Sequence, residues 1–235
     1  MSNSSGAKLV VIGQGYVGLP LAVRAVEAGY NVVGIDFDQR RIDALNQGES
    51  YVEDISHDQL AAVIATSRYQ ATNDYALAAN FDFAVITVPT PLKDSLPDLS
   101  YIESSGTSLA PYITRGATVI LESTTYPGTT QELLVPVLEA GSGLVAGSDF
   151  YVGYSPERID PGNQNFSFKT TPKIVSGIDA PRSRRSTACF QTSSIRPCRS
   201  ALHARPRWPN YSRTLSATST LPSLMSSLCL RTSWA

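Results

Sequence analysis

The chain has 235 residues, 42% of them hydrophobic, and a formal net charge of -1. That length holds one large or two modest domains with an ample core, and the near-neutral balance excludes a surface that is strongly basic or acidic throughout. The balance nevertheless conceals an asymmetry: all 20 acidic residues lie at or before Asp179 together with ten of the 19 basic ones, whereas the last 56 residues carry nine arginines and no acid.

The first element is the β-branched run Lys8–Ile12, fit for a buried parallel strand. Gly13 lets the chain turn out of it, Gly15 removes a side chain where backbone must approach a pyrophosphate, and Gly18 lets the next helix pack closely on the strand. That helix, starting near Tyr16, offers N–H groups of Tyr16 and Val17 and the positive end of its dipole to phosphates. Pro20 falls in its first turn and Gly29 closes it. Asn31–Ile35 is the second strand, and Asp36 follows about 20 residues after the glycines, where a carboxylate accepts hydrogen bonds from an adenosine ribose. Strand, turn, helix, strand and acid together read as a dinucleotide site. An acid at Asp36 repels a 2′-phosphate, so NAD is favoured over NADP, although Arg41 could pair with either the adenosine phosphates or a 2′-phosphate.

Further along, Arg40–Asn46 reads as a helix ended by Gly48, and Ser56 with Gln59 forms a capping box that opens a helix through about Ala65. Tyr69–Thr72 is a short strand, Asp74–Ala79 a helical turn, and Asp82–Val88 a buried strand running into the rigid loop Pro89-Thr90-Pro91. Ser100–Ala110 is a helix with Glu103 at the capping-box position, and Ala117–Glu122 a strand ending at Ser123-Thr124-Thr125-Tyr126-Pro127-Gly128. Thr129–Leu138 reads as a helix despite Pro136, and Phe150–Tyr154 as a strand leading into Ser155 to Gly162. This alternation implies an α/β fold, a Rossmann-type doubly wound parallel sheet. Ligands bind beyond the carboxyl ends of such strands, where the loops through Gly15, Asp36, Thr90 and Ser123 converge.

The segments VIGQGYVGLPLA, VPTP, ESTTYPGTT, YSPERIDPGN and TPKIVSG, in this order between Lys8 and Asp179, resemble the UDP-glucose/GDP-mannose dehydrogenase family, the nucleotide-sugar 6-dehydrogenases. SPERIDPGN with VPTPL resembles most the members that oxidise UDP-N-acetylglucosamine. The resemblance implies an enzyme, a homodimer in the family though not expected to assemble so here, that oxidises a primary alcohol at C6 to a carboxylate with two NAD, through an aldehyde, a thiohemiacetal and a thioester, in polysaccharide biosynthesis; cytoplasmic residence is the default expectation. A cysteine nucleophile, a lysine for oxyanion charge and a carboxylate with an ordered water serve that chemistry. By motif, Thr124 resembles the family's water-positioning threonine and Glu157 its general acid/base, with Arg158 and Ile159 lining the sugar pocket. On the residues alone, the favoured readings are a helix-entry acid behind Pro156 for Glu157 and a strand-end hydroxyl bonding its own backbone for Thr124. A β-hydroxyacid-type dehydrogenase shares the glycine fingerprint but does not call for ESTTYPG and SPERIDPG.

Residues 180–235 differ in kind from residues 1–179, with no glycine or lysine, 12 serines, all three cysteines (Cys189, Cys198, Cys229) and both tryptophans (Trp208, Trp234). A basic arm for nucleic acid or membrane is one reading of the arginines, but scattered Cys and Trp without Lys fit it badly, so neither partner is expected. The cysteines match no zinc pattern and lack the family's nucleophile surroundings. A one-base shift accounts for the segment better. Permitted codons for Asn210–Ser216, NYSRTLS, read as LLENTF from the third base; ATSTLPSLMSS continues as RHVNIALVNEL, and Arg205–Pro209 permits EAEMAK. The composite EAEMAKLLENTFRHVNIALVNEL resembles the family's interdomain helix, including its lysine and asparagine. Ala180 onward permits AASLAAVDG, so a frameshift near Asp179 or Ala180 is expected to have replaced that helix and removed the C-terminal domain, leaving a NAD-binding domain over 1–179 and a disordered tail. MSNSSGAK lacks the apolar core of a signal peptide, and no run of 18 apolar residues suggests a membrane span.

Overall fold

The computed structural model describes residues 6–93, 96–156, 173–174, 176–177 and 197–198. Its β1 (Lys8–Ile12) lies inside a seven-stranded sheet and feeds two cores. Leu9 and Val11 join one buried cluster while Val10 and Ile12 join another. Burial on both faces removes any need for polar alternation, which is why the strand reads as one apolar run.

The chain continues through α1 (Gly18–Glu27), β2 (Asn31–Ile35), α2 (Gln39–Asn46), α3 (His57–Ala65), β3 (Tyr69–Thr72), a 3₁₀ turn at Tyr75–Ala78 and β4 (Phe83–Ile86). There follow β5 (Leu92–Lys93), β6 (Leu96–Pro97), α4 (Ser100–Leu109), a 3₁₀ turn at Ala110–Tyr112, β7 (Thr118–Leu121), α5 (Val135–Ser142) and β8 (Tyr151–Tyr154). The last described elements are the two-residue strands β9 (Lys173–Ile174), β10 (Ser176–Gly177) and β11 (Pro197–Cys198). The sheet order is β10-β8-β7-β4-β1-β2-β3, parallel except for β10, which pairs antiparallel with β8. The chain winds outward from β1 to β3, then returns to lay β4 against the other side of β1. A parallel sheet of this winding is the expected Rossmann-type α/β fold, and its order reverses between β1 and β4, where such sheets open a crevice.

Several local expectations are revised. The first helix begins at Gly18, two residues after Tyr16. Glu103 does not close a capping box: α4 has Leu99 at its N-cap with no side-chain cap, and the Asp98 carboxylate instead accepts from the Ser100 N–H at 3.0 Å. The helix expected over Thr129–Leu138 starts as a π-helical turn, Thr130–Leu134, before α5 carries Pro136 in its first turn. Proline has no N–H to give, and placing it near a fresh start of the α ladder costs less than an interior position would. Two features carried no sequence signal: the β5–β6 hairpin with Leu92 opposite Pro97, and the antiparallel edge strand β10.

The chain divides into residues 1–202 and residues 203–235, and every described element belongs to the first unit. Pro197–Cys198, beyond the boundary expected at residue 179, pairs in parallel with Lys173–Ile174. The rest of the segment expected to be disordered, 180–235, lies outside the described residues. Among those described, no helix is long and apolar enough to cross a membrane.

Candidate functional site

A cavity of about 820 Å³ opens at the carboxyl edge of the sheet, a volume within the range of small-molecule and cofactor sites. Its wall includes Gly13, Gly15, Tyr16 and Val17 after β1, Asp36 and Arg41 after β2, Thr90 after β4, and Ser123 and Thr124 after β7. Gly18 is buried behind that wall, and a Cβ there would be driven into the Gly13 carbonyl and within 2.6 Å of Thr87 Oγ1. Its role is the close seating of α1 on β1. Gly13 has φ of 91°, which bulkier residues resist, and a Cβ at that position would meet the Thr87 carbonyl oxygen at 2.8 Å.

The residues fit a dinucleotide in two independent ways. A Cβ added at Gly15 meets nothing within 4 Å, so the glycine leaves open space on the cavity side of the turn. The first turn of α1, like that of α4, has no side-chain cap, and it directly follows the glycine turn that lines the cavity. An uncapped first turn facing a cavity keeps N–H groups available to an anion.

Asp36 is only 4% exposed. Its Oδ2 accepts from the Gln14 N–H at 2.8 Å and its Oδ1 from the Asp38 N–H at 3.0 Å, and Arg41 Nη1 stands 3.6 Å from Oδ2. The carboxylate therefore ties the glycine turn to the end of β2 as well as lining the cavity. Arg41 also lies over the Tyr51 ring, 5.5 Å from its centroid. Beside it, the Arg40 side chain bonds the Asp38 carboxyl and holds it below the usual carboxylate range.

Sequence reasoning missed the buried polar network behind the turn. Gln14 is fully buried; its Nε2 donates to the Val11 carbonyl at 2.9 Å, and its Oε1 accepts from the Tyr69 hydroxyl at 2.9 Å. The Tyr51 hydroxyl donates to the Gln14 carbonyl at 2.6 Å. Burial, with smaller contributions from nearby Asp36, pushes the phenols of Tyr51 and Tyr69 up, so both remain O–H donors. Gly34 makes room for this network: a Cβ there would lie 2.7 Å from the Gln14 amide and 2.9 Å from the Tyr69 oxygen. A large polar residue between two motif glycines, with a glycine inside β2, was the available signal.

The opposite side is held by hydroxyls. Thr90 Oγ1 donates to the Thr124 carbonyl at 2.6 Å and Ser123 Oγ to the Val88 carbonyl at 2.8 Å, joining the loops after β4 and β7. Thr124 itself is exposed on the cavity wall. Glu157, Arg158 and Ile159 lie outside the described residues.

Comparison with known proteins follows the same outline. Residues 7–192 match the family model described as UDP-glucose/GDP-mannose dehydrogenase family, NAD binding domain. The chain is 40% identical over 170 residues to protein CapL of Staphylococcus aureus, covering 72% of this chain and 39% of that one. It is 39% identical over 171 residues to a UDP-N-acetyl-D-glucosamine 6-dehydrogenase of Pseudomonas aeruginosa, covering 72% of this chain and 40% of that one. A solved UDP-D-ManNAc dehydrogenase from Pyrococcus horikoshii superimposes with a TM-score of 0.76 at 32% identity, over 81% of this chain and 45% of that one. A ternary complex of GDP-mannose dehydrogenase from Pseudomonas aeruginosa gives 0.73 at 29% identity, over 80% and 46%. The chain thus spans about 40% of the length of the curated relatives it matches.

Proposed function

The chain belongs to the UDP-glucose/GDP-mannose dehydrogenase family and carries its NAD-binding domain, and from that membership we propose a place in the oxidation of a UDP-sugar at its C6 hydroxyl to the uronate. The observation that carries this reading is the meeting of Gly15, Asp36, Thr90 and Thr124 on one cavity at the carboxyl edge of the sheet. NAD, when bound, supplies the hydride acceptor. Asp36 would accept from the adenosine ribose hydroxyls, the glycine turn and the N–H groups at the start of α1 would hold the pyrophosphate, and Arg41 would add positive charge to the site. Tyr16, Val17, Thr90 and Ser123 complete the cofactor wall. Thr124, with its carbonyl fixed by Thr90, orients its hydroxyl toward a water, and Glu157 moves the proton of that water during hydrolysis. Arg158 and Ile159 contact the sugar.

UDP-N-acetylglucosamine is the proposed substrate, supported by the SPERIDPGN and VPTPL motifs and by the 39% identity to a dehydrogenase of that name. The reading places the protein in the cytoplasm, away from nucleic acid and membrane. The chain as written is proposed to be inactive in the oxidation and to act as a noncatalytic NAD-binding fragment. Residues 180–235 contain no lysine, and none of Cys189, Cys198 and Cys229 stands in the family's motif, so the oxyanion charge and the thiol have no source there. A frameshift near codon 180 accounts for that loss and for the hidden helix, and it removes the segment on which the family's homodimer depends. Absorbance of NADH during incubation of the purified chain with NAD and UDP-N-acetylglucosamine tests this: no turnover is expected, and turnover returns when one base restores the frame near codon 180. Turnover by the chain as written overturns the inactivity, and resequencing of the gene that shows an intact nucleotide run in the written frame, with no base lost or gained near codon 180, overturns the frameshift.

A further inference from the structure

Among the described residues, the peptide between Gln14 and Gly15 is held from one side only. The Tyr51 hydroxyl donates to the Gln14 carbonyl at 2.6 Å, yet Tyr51 takes no part in the cavity wall, whereas Gly15 does. The described residues contain no cis peptide bond, and in a planar trans peptide the carbonyl and the following N–H point in opposite directions. A carbonyl fixed toward Tyr51 therefore sets the Gly15 N–H on the other side of the turn. Glycine leaves both orientations of such a peptide sterically open, and nothing within 4 Å of the missing Cβ selects between them. Some other contact must choose.

We propose that Tyr51 is the positioning residue for the pyrophosphate: its hydroxyl locks the Gln14–Gly15 peptide so that the Gly15 N–H faces the cavity as an anion donor. This rests on the reading that the cavity holds NAD. The surroundings suit the task. The Gln14 N–H is held by Asp36 at 2.8 Å, and the Gln14 side chain is anchored to Val11 and Tyr69, so rotation of the next peptide is the freedom left in the turn. Arg41 over the Tyr51 ring keeps the phenol in place. Burial keeps that phenol protonated, and so a donor, across the working pH range.

Tyr51→Phe in the full chain retains the ring beneath Arg41 and deletes only the hydroxyl. Affinities for NAD, ADP-ribose and adenosine separate a phosphate effect from a general one. NAD and ADP-ribose are expected to weaken together by about tenfold, the worth of one oriented hydrogen bond to a charged group, while adenosine changes by less than about twofold. Independently of any variant, the Gly15 amide proton of the native chain moves downfield in NMR spectra on addition of ADP-ribose and stays in place with adenosine. Unchanged NAD affinity in Tyr51→Phe, an equal loss for adenosine, or a Gly15 amide indifferent to ADP-ribose overturns the proposal. A native chain that binds none of the three ligands overturns the cofactor reading itself, and this proposal with it.

Discussion

The two sides of the cavity are secured by different chemistry. After β1 and β2, one fully buried amide, Gln14, and one nearly buried carboxylate, Asp36, bind the glycine turn to three strands through tyrosines 51 and 69 and the Val11 carbonyl. After β4 and β7, short hydroxyls on Thr90 and Ser123 bridge neighbouring loops, and the Thr124 carbonyl that Thr90 serves lies at an exposed position. A buried polar group that loses its partner keeps its full desolvation cost, whereas an exposed carbonyl recovers water. The first side should therefore be rigid and intolerant, the second adaptable.

The sharpest way to break this contrast is Gly18→Ala. Its Cβ would collide with the Gly13 carbonyl and with Thr87 Oγ1, so α1 must lift from β1. Calorimetry should detect no NAD binding, and denaturant titration a loss of about 3 kcal/mol, the upper part of the usual overpacking range. NAD affinity within twofold of native would refute the close seating of α1. Asp36→Ser comes next. It removes the ribose acceptor and releases Arg41, now 3.6 Å from the carboxylate, toward a 2′-phosphate. NAD affinity should fall by about tenfold and NADP affinity rise above it, the exchange expected when arginine rather than an acid faces the ribose. Gly34→Ala tests the buried amide without touching the cavity: the added methyl meets Gln14 and the Tyr69 oxygen, and thermal unfolding should report a loss of about 1 to 3 kcal/mol. Thr90→Val, on the other side, should cost about 1 kcal/mol or less, because the Thr124 carbonyl it served is reached by water. A larger cost for Thr90→Val than for Gly34→Ala would invert the comparison.

The smallest effect concerns Asp38, at the start of α2. Arg40 holds its carboxyl below the ordinary value of 3.8, so the folded form binds the proton less readily than the unfolded one. The associated stability is present above the ordinary value and is lost as pH falls through the depressed one. A carboxyl-detected NMR titration should place the Asp38 inflection below 3.8; an inflection at or above it contradicts the Arg40 pairing.

The sequence made one side of the cavity far easier to read than its supports. Glycines at 13, 15 and 18 before a helix and Asp36 after a strand form a local pattern with a backbone reason at each position, and the Ser56–Gln59 box formed as expected. The supports have no such pattern. Tyr51 and Tyr69 reach Gln14 across 37 and 55 residues, distances over which a hydrogen bond leaves no periodic trace. The π-helical start before Pro136 was likewise hidden, because propensity announces a helix there without its hydrogen-bond register. Glu103 misled for the converse reason: the S-x-x-E spacing was present, but Asp98 had taken the Ser100 N–H first.

The central claim is that the cavity at the carboxyl edge of the sheet holds NAD. Isothermal titration of the purified, folded 235-residue chain with NAD addresses it most directly. The account predicts one saturable site per chain that prefers NAD to NADP and disappears in Gly18→Ala. Absence of any heat of binding at millimolar NAD, with the protein shown to be folded, would contradict it.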